Sequence, residues 1–137
     1  MRITIFKEKM IVMKFGGTSL GNAKCIKNVA LIIKENLGKK PVIVVSAVTK
    51  VTDLLIKLAE EAPKGKEDVF QFLKELHIRI LKELQLNPNL LEKEFKDIKF
   101  FIKKQKKKKE KTTKALAKFQ SYGEILSSKI VSAQLIS

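Results

Sequence analysis

The sequence predicts an α/β fold with a mainly parallel sheet and an inserted helical hairpin, and three observations carry that prediction. Ile11-Val12-Met13-Lys14-Phe15 and Val42-Ile43-Val44-Val45 are short, β-branched, almost continuously apolar runs, as expected of strands covered on both faces. A segment of helical periodicity separates them, making a β-loop-α-β unit whose crossover should be right-handed. Two long amphipathic stripes then follow around the break Asn87-Pro88-Asn89, the pattern of adjacent antiparallel helices.

Taken in order, the first helix is expected between Gly21-Asn22 and Gly38, with Ile26, Val29, Ala30 and Ile33 on its apolar side. A second should begin at Thr52 or Asp53, either of which could cap it, and present Leu54, Leu55, Leu58 and Ala59 until Pro63-Lys64-Gly65 ends it. The hairpin stripes are Val69, Leu73, Leu76, Ile80 and Leu84, then Leu91, Phe95, Ile98 and Ile102. The second of these helices runs into lysines whose repulsion at i,i+4 spacing should fray it. Ser121 introduces a last helix bearing Ile125, Leu126, Val131 and Leu135. His77, within an apolar stripe, reads as a packing residue, and Cys25 as a small core residue.

Chemistry concentrates where the first strand ends, at Lys14-Phe15-Gly16-Gly17-Thr18-Ser19. Glycines let backbone N–H groups approach a polyphosphate, Lys14 adds a positive charge, and Thr18 and Ser19 add hydroxyls. The spacing departs from the Walker pattern, in which lysine follows the last glycine, and from the dinucleotide-binding pattern. A tight turn with no ligand is the plain alternative. In a parallel unit this turn and the loop from Ser46 to Thr52 share the carboxyl edge of the sheet, where α/β folds bind ligands.

Two further segments accompany the turn: Val42 to Leu55, containing Ser46-Ala47-Val48-Thr49-Lys50-Val51-Thr52, and Phe119-Gln120-Ser121-Tyr122-Gly123-Glu124-Ile125-Leu126-Ser127-Ser128. The three motifs, in this order, resemble the aspartate kinases of the amino-acid kinase family, closely over 11–62 and 119–135 and weakly between. The resemblance implies part of that family's three-layer α/β/α fold, with residues 1–137 as the N-terminal, amino-acid-binding portion of the kinase domain. The nucleotide-base half and the regulatory ACT domains would lie outside it. It implies transfer of the ATP γ-phosphate to the β-carboxylate of L-aspartate, with Mg²⁺ arriving on the nucleotide. By the same resemblance, Lys14 contacts the ATP phosphates and Phe15, Gly16, Gly17, Thr18 and Ser19 form the phosphate turn. Ser46 and Thr52 offer hydroxyls and N–H groups to aspartate, and Glu124 meets its ammonium group. The isolated chain is expected to be weak or inactive because the nucleotide-base half is missing, and its expected partners are that second half or a second copy in a homodimer. Another carboxylate, carbamate or nucleotide substrate within the family is the alternative. The loop at Val48-Thr49-Lys50 is bulkier than a glycine-containing version would be.

Composition bounds the remaining classes. With 137 residues and 45% hydrophobic content, one domain or one large piece of a domain is expected. The single cysteine excludes an internal disulfide and points to a reducing compartment. Charges within Met1 to Lys9 argue against a secretory signal, and every apolar run is too short to span a bilayer, so a cytoplasmic location is expected. Metal hydrolase and acyl-transfer sites rank low, since no Cys/His cluster or Ser-His-Asp set has local support. The net charge of +15 draws heavily on Lys103, Lys104, Lys106, Lys107, Lys108, Lys109 and Lys111. This block reads as a solvated surface rather than a nucleic-acid site, because no aromatics alternate with its lysines; a basic binding module is the competing reading.

Overall fold

The computed structural model describes residues 9–109 and 112–137; the charged segment 1–8, and Glu110 and Lys111 of the lysine block, lie outside the described residues. Strands β1 (Val12–Phe15) and β2 (Val42–Val45) pair in parallel, with Val12 opposite Val42 and Phe15 opposite Val45. Helix α1 (Ala23–Glu35) connects them, and α2 (Val51–Glu61), α3 (Asp68–Glu83), α4 (Glu92–Lys108) and α5 (Thr113–Ile136) follow. Short 3-10 turns at Gly17–Leu20, Leu37–Lys39 and Ala62–Lys64 complete the order.

Local chemistry explains most boundaries. Asn22 starts α1 because its side-chain oxygen accepts a 2.9 Å bond from the Cys25 amide, satisfying one of the first-turn donors. Gly65, at φ 75°, ends the turn after α2 in the left-handed region that glycine tolerates. The hairpin is present but splayed: Phe95 of α4 meets Phe70 and His77 of α3 edge-on at ring separations of 6.4 and 6.3 Å. Large side chains hold the helices apart, leaving a cleft of about 740 Å³ between them. The buried stripes of α1 to α5 merge into one core centred on Leu20, Ile26, Leu55, Leu58, Leu73, Ile98, Phe119 and Leu126.

Several expectations are corrected. Among the described residues the strands are covered on one face only: Phe15, Ile43 and Val45 pack against the core, while Val12, Val42 and Val44 are exposed. The reason is that α5 lies against β2 on that side and no described element covers the other. Helix α2 begins at Val51, and the residue before it, Lys50, is left-handed at φ 69° with no side-chain cap, so neither Thr52 nor Asp53 caps it. Helix α5 begins eight residues before Ser121, where the Thr112 hydroxyl accepts from the Ala115 amide at 3.0 Å. The lysines do not fray α4, which is helical to Lys108 because Phe101, Ile102 and Gln105 anchor the same turns in the core. Ile125 faces outward rather than into the core. Cys25, in the first turn of α1, is half-buried rather than a core residue.

Candidate functional site

The parallel register places the two strand ends side by side. Phe15 pairs with Val45, so the next residues, Gly16 and Ser46, leave the sheet together, and the Ser46 amide still donates to the Phe15 carbonyl at 3.0 Å. Beyond them the chain turns twice over the same edge. The Gly16 carbonyl accepts from the Ser19 amide at 3.1 Å, closing the glycine turn with Thr18 and Ser19 exposed.

This turn and the loop after β2 are fastened to each other. The Thr49 hydroxyl donates to the Gly17 carbonyl at 2.6 Å across 32 residues of chain. A Cβ on Gly21 would come within 3.2 Å of the same hydroxyl, so a small residue there keeps the two segments in contact. Lys-Phe-Gly-Gly and Ser46-to-Thr52 therefore form one structural unit.

Helix α5 closes the edge from the other side. Ser127, 1% exposed, directs its single hydroxyl hydrogen to the Ser46 carbonyl at 2.6 Å and shares it with the Glu124 carbonyl at 3.1 Å. Gly123 makes the approach possible: a Cβ there would sit 2.8 Å from the Ala47 Cβ and 3.4 Å from Val51 Cγ1. Glu124 and Thr52 are each the exposed residue next to this contact, one following Gly123 and the other following Val51.

The three segments that carry the sequence-derived residues thus meet at one sheet edge, with two qualifications. Lys14 precedes core-facing Phe15 in an alternating strand, so its side chain stands exposed on the sheet face opposite the core. The Ser46 N–H is engaged with the Phe15 carbonyl, which corrects the expectation of a free amide. In the sequence Thr49 contributes only bulk to its loop, although a hydroxyl beside a glycine turn is the available signal for the tether. Ser127 carries no distinct signal in the sequence, since a helical serine bonds as readily to its own backbone, as its longer contact to the Glu124 carbonyl does here.

Among the described residues, no group of three His, Cys, Asp or Glu side chains could hold a metal ion, and no helix is long and apolar enough to cross a membrane. His77, distant in role from this edge, is fully buried with Nδ1 on the Leu73 carbonyl at 2.8 Å; burial lowers its pKa, and the backbone bond opposes that only in part.

Residues 9–137 match the profile of the amino acid kinase family along nearly the whole described chain. The chain belongs to that family. It is 36% identical over 135 residues to aspartokinase 2, chloroplastic, of Arabidopsis thaliana, an alignment that takes in 94% of this chain and 25% of the relative. It is 43% identical over 86 residues to the aspartokinase of Chlamydia muridarum, covering 61% of this chain and 19% of that one. Its fold matches E. coli aspartokinase III, in a structure holding aspartate and ADP, with a TM-score of 0.78 and 23% identity over 93% of this chain and 29% of the other. The chain spans about a quarter of the length of these Arabidopsis relatives.

Proposed function

We propose that this chain is the amino-acid-binding portion of an aspartate kinase, acting in transfer of the ATP γ-phosphate to the β-carboxylate of L-aspartate. The observation that carries this reading is the fastening of three separate segments at the strand ends, by Thr49 to Gly17 and by Ser127 to Ser46. In the reaction, a β-carboxylate oxygen attacks the γ-phosphorus, the bond to the bridging oxygen breaks, and ADP departs, leaving the acyl phosphate 4-phospho-L-aspartate.

Such a transfer needs positioning and charge neutralisation more than covalent help from the protein. Lys14 supplies positive charge to the phosphates, and Phe15, Gly16, Gly17, Thr18 and Ser19 form the turn that receives them. Ser46 and Thr52 hold the substrate carboxylates, and Glu124 pairs with the ammonium group. Mg²⁺ enters with the nucleotide, whose phosphate oxygens are its natural ligands.

The sheet face that no described element covers supports a second element of the reading. A parallel sheet is stable when both faces are covered. Val12, Val42 and Val44 therefore form the seat for the remainder of a kinase domain, and the 1–137 chain by itself turns over ATP weakly or not at all. The unpaired Cys25 supports placing it in a reducing, cytoplasmic setting.

Titration of the purified chain with L-aspartate, followed calorimetrically, tests the assignment. Binding that is lost in Glu124→Ala and retained in Ser128→Ala supports it. Equal aspartate affinity in Glu124→Ala would remove Glu124 from the site. Ordinary aspartate-dependent ATP turnover by 1–137 would refute its incompleteness.

A further inference from the structure

We propose that the carboxyl-terminal half of α4 is a docking surface for the phosphate backbone of a nucleic-acid duplex. From Lys99 to Lys109 every exposed position except Phe100 is a lysine: Lys99, Lys103, Lys104, Lys106, Lys107, Lys108 and Lys109. The intervening residues, Phe101, Ile102 and Gln105, are buried and hold the helix in place. What the sequence presents as a self-repelling run is, in the fold, a rigid cationic face.

The geometry suits a polyanion. At about 1.5 Å of rise per residue, these lysines span roughly 15 Å, or about one positive charge per 2 Å of axis. Duplex DNA carries one negative charge per roughly 1.7 Å of its own axis, so the subset of these lysines that faces a duplex has several phosphates within reach. Among the described residues none of the lysines from 103 to 109 makes an ion pair, so binding would not require breaking one.

Neighbouring elements extend the face. Gly65 lies against the Lys106 side chain, which brings Lys64 and Lys66 beside the end of α4, and Lys64 and Lys109 line one shallow depression with Glu60 and Pro63. Lys118 of α5 reaches back to within 4.4 Å of the Phe101 ring. Lysine positions i and i+4, such as Lys103 with Lys107 and Lys104 with Lys108, repel each other; bound phosphates would replace that repulsion with attraction.

An anionic membrane is a poorer match. The apolar stripe of α4 is buried, and Phe100 is the single large apolar side chain it exposes beside the lysines, so there is no hydrophobic face to enter the acyl region. The absence of arginine between Lys99 and Lys109 argues for sequence-independent contact with phosphates, not for reading of base edges.

The test is fluorescence-anisotropy binding of the full 137-residue chain to a labelled duplex of mixed sequence, over a range of salt. Engagement of about five phosphates predicts a log–log salt slope near −4.5, so affinity should fall roughly 500-fold between 50 and 200 mM salt. K103Q/K104Q/K107Q/K108Q should weaken binding at least tenfold and flatten the slope by about three. A control with the same net charge, K24Q/K27Q/K34Q/K39Q, alters exposed lysines on and after α1 and should bind nearly as the parent does. Equal losses in both quadruple variants, a salt-independent affinity, or binding to phosphatidylserine vesicles in preference to the duplex would each overturn the proposal. Circular dichroism of both variants verifies that the helices persist.

Discussion

Replacing Gly123 by alanine should destabilise the protein even though alanine is the better helix former. Gly123 lies inside α5, so removing its backbone freedom would by itself favour the fold by about 1 kcal/mol. Against this, the new methyl carbon would stand 2.8 Å from the Ala47 Cβ, 3.0 Å from Leu55 Cδ1 and 3.4 Å from Val51 Cγ1. Carbon atoms in good contact sit about 3.5–4.0 Å apart. Leu55 is fully buried with little room to turn, and the Ala47 methyl is fixed to its backbone, so α5 must move away from α2 and the loop. That movement also stretches the Ser127 to Ser46 bond four residues along the same helix. Overpacking of this kind costs about 1–3 kcal/mol, leaving a net loss near 1 kcal/mol. Gly38, with nothing within 4 Å of a built Cβ, provides the contrast: Gly38→Ala should be neutral or stabilising by about 0.5 kcal/mol. Urea denaturation monitored by circular dichroism measures both. A Gly123→Ala midpoint equal to or above that of the parent and of Gly38→Ala would refute the claim that this glycine exists for close approach.

Other consequences follow from single contacts. Asn22→Ala removes the cap on the Cys25 amide and should cost about 1 kcal/mol by the same denaturation assay, with Asn22→Ser recovering most of it. Lys129→Met leaves the buried Glu94 carboxylate without its 2.5 Å ion-pair partner, and should destabilise by about 1–3 kcal/mol, far more than loss of the exposed Lys96 from its pair with Glu92. Burial keeps the His77 pKa below the ordinary 6.5, so below that pH the unfolded chain binds a proton that the folded chain does not. Stability is therefore full above pH 6.5 and declines as pH falls, by at most about 1.4 kcal/mol per unit, until the folded pKa is reached. His77→Leu should flatten that part of the stability profile, and an unchanged slope would show that His77 is not its source.

The features legible in the linear chain arise from short-range physics. Apolar periodicity of 3.6 located the buried faces of α1, α3 and α4, from Ile26 to Ile102, and β-branched runs located both strands. Asn22 marked its helix start because a cap bond spans three residues. The lysine-glycine turn was visible as chemistry because it is contiguous. The remaining features depend on contacts between distant segments. Lys50 takes a left-handed conformation and α2 begins at Val51, a position fixed by Val51 packing into the core rather than by any local cap. The lysine run stays helical because Phe101, Ile102 and Gln105 are buried among residues far along the chain, an attraction that local charge repulsion does not reveal. The meeting of Gly17, Ser46 and Gly123 depends on contacts across 32 and 81 residues, whose energies come into being only when the segments touch.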